Sequence, residues 1–292
     1  LKQDGIIPTS TRLENTSTNI YIYDITDFID FKNKVNDGDT FSGKTVNLMD
    51  DIDLSSVCSS TLGSWIAIGD NNNGKNNVFE GTFDGNYHKI DNLYIDEYSS
   101  GNSNYGLFGK VDNAVIKNLI LNSGTVKVID SGSVSNPDLH IGGIVGDSSN
   151  SNIINCGNKT EVYSESSGMV RIGGISGYAY NTIINGCYNK ANVTGYNKLN
   201  YGYAGGIVGI LEKGRVINSY NTGDITQYRL PNANHNSQTG GITGEVGYER
   251  GNSFINYSYN CGRVFGSNNI GNITGCNYGT ITNNYFVNYS PN

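Results

Sequence analysis

The side chains able to do chemistry are thinly spread. His88, His140 and His235 are the only histidines, and they stand far apart. A zinc peptidase needs HExxH, which sets two histidines one helical turn apart on one face, and that spacing is absent. His88 follows Phe83-Asp84-Gly85 and reads as a turn residue. Five cysteines (Cys58, Cys156, Cys187, Cys261, Cys276) include no CxxC pair and are odd in number, which argues against a disulfide framework or a zinc knuckle. The densest acids are Asp50, Asp51, Asp53 and Asp84. Neighbours along a strand point to opposite faces, so they cannot all converge, and Asp53 and Asp84 read as turn groups. No cofactor is called for, and Asp51, Asp53 and Asp84 are the residues a calcium ion would use if one bound. A carbohydrate-active enzyme would need paired acids on neighbouring coils. Glu161 and Asp224 come nearest to that, and both read as solvated strand residues.

The elements that must position these groups repeat. Six segments share a glycine-framed apolar core, among them Ile141-Gly142-Gly143-Ile144-Val145-Gly146 and Ala204-Gly205-Gly206-Ile207-Val208-Gly209. Their last glycines, from Gly109 to Gly275, are separated by 37, 31, 32, 35 and 31 residues. This is the period of one solenoid coil with variable loops. A second run follows each (Ile153-Ile154-Asn155-Cys156, Ile183-Ile184-Asn185), and then a third centred on Val162, Val193, Ile225 and Val264. Three brief β-type runs without helical periodicity predict an all-β, right-handed parallel β-helix with three short strands per coil. Aligned units stack Ile144, Ile175, Ile207, Ile242 and Ile273 as a core column and Asn158, Asn189, Asn221 and Asn260 as an amide ladder. Cys156 and Cys187 become neighbours, either bonded or as buried free thiols.

Before the repeats, residues 1–19 form a polar extension, and residues 20–292 are expected to be a single domain. Within it, Asp24 caps a short helix over about 25–36 with Phe28, Phe31 and Val35 on one stripe. That helix would cover the open end of coils running over about 40–292. The last residues, Tyr289-Ser290-Pro291-Asn292, offer no cap or anchor pattern, the expectation for a chain that continues.

Composition excludes several classes. Gly numbers 39 and Pro 4, with 15% charged residues, which suits tight turns and not a disordered chain. A net charge of −7 without a Lys/Arg block excludes a nucleic-acid footprint, and no apolar run is long enough to insert in a membrane. The chain is expected to be monomeric. Its 21 Tyr against 9 Phe favour aromatic groups with a wet end. The variable loops leave one corner of each coil, where Tyr163, Tyr196, Tyr201, Tyr203 and Tyr228 gather. They read either as a surface recognising a protein or glycan or as shields of the coil edges.

The order of the pieces resembles the GLUG-motif family of bacterial extracellular proteins. Gly43-Lys44-Thr45-Val46, Asp51-Ile52-Asp53-Leu54-Ser55, Phe83-Asp84-Gly85-Asn86 and Gly106-Leu107-Phe108-Gly109 carry the likeness, which runs over about residues 25–287. Asn272 departs from the pattern where other units have their second glycine. Family members are similar to surface adhesins and to the N-terminal regions of IgA-specific metallopeptidases. The resemblance therefore implies a secreted or surface-displayed, non-catalytic module binding a host or environmental protein or glycan. An architectural spacer carrying another domain is the alternative, and a polysaccharide lyase or glycoside hydrolase the third reading.

Overall fold

A computed structural model describes residues 18–72, 74–132, 137–231, 235–247 and 252–288. The polar extension, up to residue 17, and the last four residues lie outside the described residues.

Thirty-five short strands among the described residues pair only in parallel and form five sheets, each running along the axis of a β-helix. We number the sheets I to V in the order the chain meets them. One coil shows the scheme: Asn152–Ile154 lies in sheet I, Gly157–Asn158 in II, Glu161–Ser166 in III, Met169–Gly173 in IV and Ser176–Tyr180 in V. The coil is thus divided into five strands and not the three expected. The glycine-framed segment, read as one strand, straddles sheets IV and V. A Cβ on Gly142 would lie 2.0 Å from the Val145 carbonyl, so the chain folds sharply at the glycine pair. The second run is split in the same way, at Asn155, whose φ of +53° turns the corner between sheets I and II. The variable stretch at residues 163–171, which the sequence leads one to expect as one of the corner loops, is mostly strand of sheets III and IV.

The stacked columns stand. Ile144, Ile175, Ile207 and Ile242 are fully buried, and the Ile175 N–H donates to the Ile207 carbonyl at 2.9 Å. Asn158, Asn189, Asn221 and Asn260 are also fully buried, each amide donating to the next side chain at 2.8–2.9 Å. The ladder explains the second glycine of each pair: a Cβ on Gly143 would lie 2.6 Å from the Asn158 amide. Asn260 is the last rung, because its partner in the next coil is Phe286. Asn272 can therefore replace glycine in that coil without meeting a ladder amide.

Cys156 and Cys187 are buried and free. The Cys156 N–H donates to the Cys187 Sγ at 3.4 Å, Cys187 N–H to Ser219 Oγ at 3.2 Å, and Ser219 N–H to Ser258 Oγ at 3.3 Å. Each residue of this column supplies one acceptor where the coil turns, so sulfur and oxygen serve alike.

Helix α1 (Ile25–Asn36) forms as expected. Asp24 accepts from the N–H groups of Thr26 and Asp27, Lys34 lies in the last turn, and Phe28, Phe31 and Val35 are buried. Phe28 stacks on Trp65 at 5.6 Å, and Phe31 packs edge-on to Phe41 and Phe79. One strand, Asn19–Ile22, precedes the helix and pairs with Thr45–Leu48, so sheet I begins about twenty residues before the expected first coil. Its alternation of exposed and buried residues is the period of a half-buried strand.

Candidate functional site

Sheets IV and V meet at a concave angle on the outside of the coils. The last glycine of each framed segment permits this: a Cβ on Gly146 would lie 2.8 Å from the Tyr105 nitrogen. Two outward columns face each other across the crevice. Asn104, His140, Arg171, Tyr203 and Gln238 are in register along sheet IV. Lys110, Asp147, Tyr178, Ile210, Glu245 and Cys276 are in register along sheet V. His140 and Asp147, and Arg171 and Tyr178, each seven residues apart, meet across it, and Tyr203 and Ile210, then Gln238 and Glu245, hold the same two register positions in the following coils. His140 Nδ1 lies 3.3 Å from Asp147, and the Arg171 guanidinium lies 5.1 Å from the centre of the Tyr178 ring.

The wall of one end is electrostatically matched. Asp138 pairs with Arg171 and lies 3.4 Å from His140 Nε2. Burial alone would raise the Asp138 carboxyl, but the hydrogen bonds of His140 and Arg171 hold it well below the usual carboxylate range. Burial likewise opposes an imidazolium at His140, yet Asp138 and Asp147 outweigh it and its pKa is raised. Further along, the Tyr178 hydroxyl donates to Glu212 Oε2 at 2.7 Å. Burial and that carboxylate push the Tyr178 pKa up, so the phenol remains a proton donor. Between these groups lies a cleft of about 250 Å³ lined by Met169, Arg171, Tyr178, Tyr201, Tyr203, Ile210 and Glu212.

The five tyrosines expected at the corner do not form one patch. Tyr163, Tyr196 and Tyr228 make a column on sheet III, with ring centres 5.8 and 6.0 Å apart. Tyr201 and Tyr203 turn instead into the cleft and stack on each other at 6.0 Å, with His235 4.4 Å from Tyr201. Tyr203, read as exposed, is 3% exposed, because the concave meeting of sheets IV and V covers it. A third set escaped the sequence reading. Tyr188, Tyr220 and Tyr259 stack face to face on sheet II at 5.3 and 5.0 Å, which covers both faces of the central ring.

The acids singled out from sequence are engaged locally. Asp51 accepts from the Lys89 N–H and faces His88, Asp53 accepts from Ser55 N–H and Asn92, and Asp84 accepts from Asn86 N–H and Asn118 and pairs with Lys117. No group of three metal-ligating side chains occurs among the described residues. Glu161 and Asp224 do share a column. Glu161 is exposed, while Asp224 is paired with Arg263. What sequence reasoning missed is the cleft itself: His140, Asp147, Arg171, Tyr178, Glu212, Gln238 and Glu245. The signal available was positional, two residues before the glycine pair and one after the last glycine.

Parallel coils closed by a helical cap define a β-helix repeat protein. Residues 200–226 match the GLUG motif, so the chain carries the repeat that its ordered motifs resemble. No curated protein matches the sequence. Among solved structures, the chain is similar to a Bacteroides ovatus protein provisionally described as an immunoglobulin A1 protease. The TM-score is 0.59 at 19% identity, over 92% of this chain and 75% of that one. At this identity the likeness is one of fold. No described helix is long and apolar enough to cross a membrane.

Proposed function

We propose that the chain is a non-catalytic module of a secreted or surface-displayed protein that binds an extended protein or glycan over the tyrosine corner and the adjoining cleft. The observation that carries this reading is the cleft's outward columns. The buried Ile144 and Asn158 columns stack like on like, whereas along this concave cleft successive coils offer different side chains, most of them polar or aromatic, which is the form of a recognition surface. The Tyr163, Tyr196 and Tyr228 column flanks it with rigid amphipathic area. Arrays of host and environmental glycans and extracellular proteins test the reading. Binding that falls at least about tenfold in a Tyr196→Ala, Tyr201→Ala double variant of unchanged melting temperature is the expected result. Binding indifferent to that variant removes the support.

A second reading rests on Glu212 and Glu245. A buried acid beside a second carboxyl is how carbohydrate-active enzymes separate an acid from a base. Turnover of a polysaccharide panel that disappears in Glu245→Gln would favour it. The spacer reading gains if neither binding nor turnover is found.

A further inference from the structure

One end of the cleft is matched in charge and the other is not. Asp138 and Asp147 are served by Arg171 and His140. Among the described residues, no ion pair joins Glu212 or Glu245 to a lysine or arginine. Glu245 is 2% exposed, and its Oε1 has no hydrogen-bond partner. Gln238, 6% exposed, likewise leaves its Oε1 unpartnered. The two stand at the seven-residue separation that brings His140 to Asp147. They form the rung next to Tyr203 and Ile210, both of which line the cleft. Glu212 adds a second carboxyl at 8% exposure, and only its Oε2 is occupied by the Tyr178 hydroxyl. Burying an acid without a counter-charge is costly. Burial first, and Glu212 second, push Glu245 up to about 7 against the pull of Arg171.

We infer that this rung is a recognition pocket for one cationic side chain, an arginine or lysine of a basic peptide, whose stem lies on Tyr201, Tyr203 and Ile210 and whose head meets Glu245, Gln238 and Glu212. The inference rests on the binding reading above and names its ligand. The Gln238 amide oxygen and the carboxyls of Glu245 and Glu212 supply the acceptors a multidentate cation needs, and aromatic walls favour such a head. The depth of the acids selects a long flexible side chain over the short amine of an amino sugar. The space of about 250 Å³ is lined by Tyr201, Tyr203, Ile210 and Glu212, with Arg171 two rungs from Gln238 and already paired to Asp138. Gln238 and Glu245 lie one rung beyond it, so it holds the stem of one residue of an extended ligand and the pocket is a subsite of the cleft.

Calorimetric titration at pH 8 tests this with three probes: an acetylated tri-arginine amide, the tri-citrulline counterpart and a chitosan trimer. Tri-arginine is expected to bind at least about tenfold more tightly than tri-citrulline, and to lose at least about tenfold in Glu245→Gln and in Glu212→Gln. Gln238→Leu, which keeps both acids, is expected to weaken it less. Melting curves of each variant establish that it is folded. Equal binding of the arginine and citrulline peptides overturns cation recognition yet leaves the cleft a binding surface. Preference for the chitosan trimer overturns the peptide assignment. Absence of binding, or binding untouched by Glu245→Gln, overturns the pocket, whereas loss of array binding in the Tyr196, Tyr201 variant reports on the broader reading alone.

Discussion

The Asn158 column inside the coils and the His140 column outside them are built from the same repeat, yet they obey opposite rules. Inside, Asn158, Asn189, Asn221 and Asn260 are identical, and each satisfies the next. Outside, Asn104, His140, Arg171, Tyr203 and Gln238 succeed one another with no two alike, and Gln238 ends with a buried oxygen that nothing meets. In a solenoid each side chain touches its counterparts about 4.8 Å above and below. A column of identical residues can therefore close its own hydrogen bonds, while a column of unlike ones leaves groups for something else to meet. Identity along the axis marks what holds the coils together. Along the cleft its loss leaves groups such as the Gln238 and Glu245 oxygens unmet, and the proposed binding builds on these.

The largest expected effect falls on the identical column. Asn189 donates to Asn221 and to the Ala191 carbonyl, and accepts from Asn158. Asn189→Leu would strand several buried polar groups at once, each worth about 1–3 kcal/mol, so a loss of about 4 kcal/mol in urea unfolding is expected. A loss under about 1 kcal/mol would break the claim that the ladder stabilises the coils. Ile207→Ala, in the neighbouring core column, is expected to cost about 3 kcal/mol by the same measurement.

The unlike column predicts a smaller and opposite effect. Glu245 keeps its proton up to about 7 in the folded chain, against an ordinary 4.5. Between those values the native state holds a proton that the unfolded chain has released, so stability is full below about pH 4.5 and falls as pH rises through about 7. Glu245→Gln should flatten that decline and leave the variant up to about 3 kcal/mol more stable than the parent at pH 8, because the rise from 4.5 to about 7 spans about 2.5 pH units at about 1.4 kcal/mol each. Urea midpoints at pH 5 and pH 8 measure it, and parallel slopes for parent and variant would show Glu245 to be an ordinary surface acid.

The comparison also explains what was readable in the sequence. Periodic identity is visible in a single chain, so the Ile144 and Asn158 columns, the coil length and the Asp24-capped helix were all legible. The division into five sheets was not, because it arises where a Cβ on Gly142 would strike the Val145 carbonyl, a clash between backbone segments that no run of residue types records. Tyr203 was misplaced for a related reason: alternation puts it outside the coil, and only the fold angle between sheets IV and V decides that outside is covered. The cleft residues were hidden by the property that gives them interest, since His140, Arg171 and Gln238 share a position without sharing chemistry.

The smallest effect sharpens the rule by separating identity from chemistry. The column of Cys156, Cys187, Ser219 and Ser258 is mixed in residue type but uniform in what it does, each side chain accepting from the N–H of the coil before. If function within the column, and not the residue's name, is what the coils require, Cys187→Ser should change stability by no more than about 0.5 kcal/mol, with Oγ taking the place of Sγ opposite the Cys156 N–H. Cys187→Val fills the same space but offers no acceptor, and should cost about 1 kcal/mol more than the serine variant by leaving that buried N–H unpaired. Equal costs for serine and valine would mean that the column packs by volume alone. The likeness of Cys and Ser at this corner would then be a matter of size, and only the asparagine ladder would remain as a column held by hydrogen bonds.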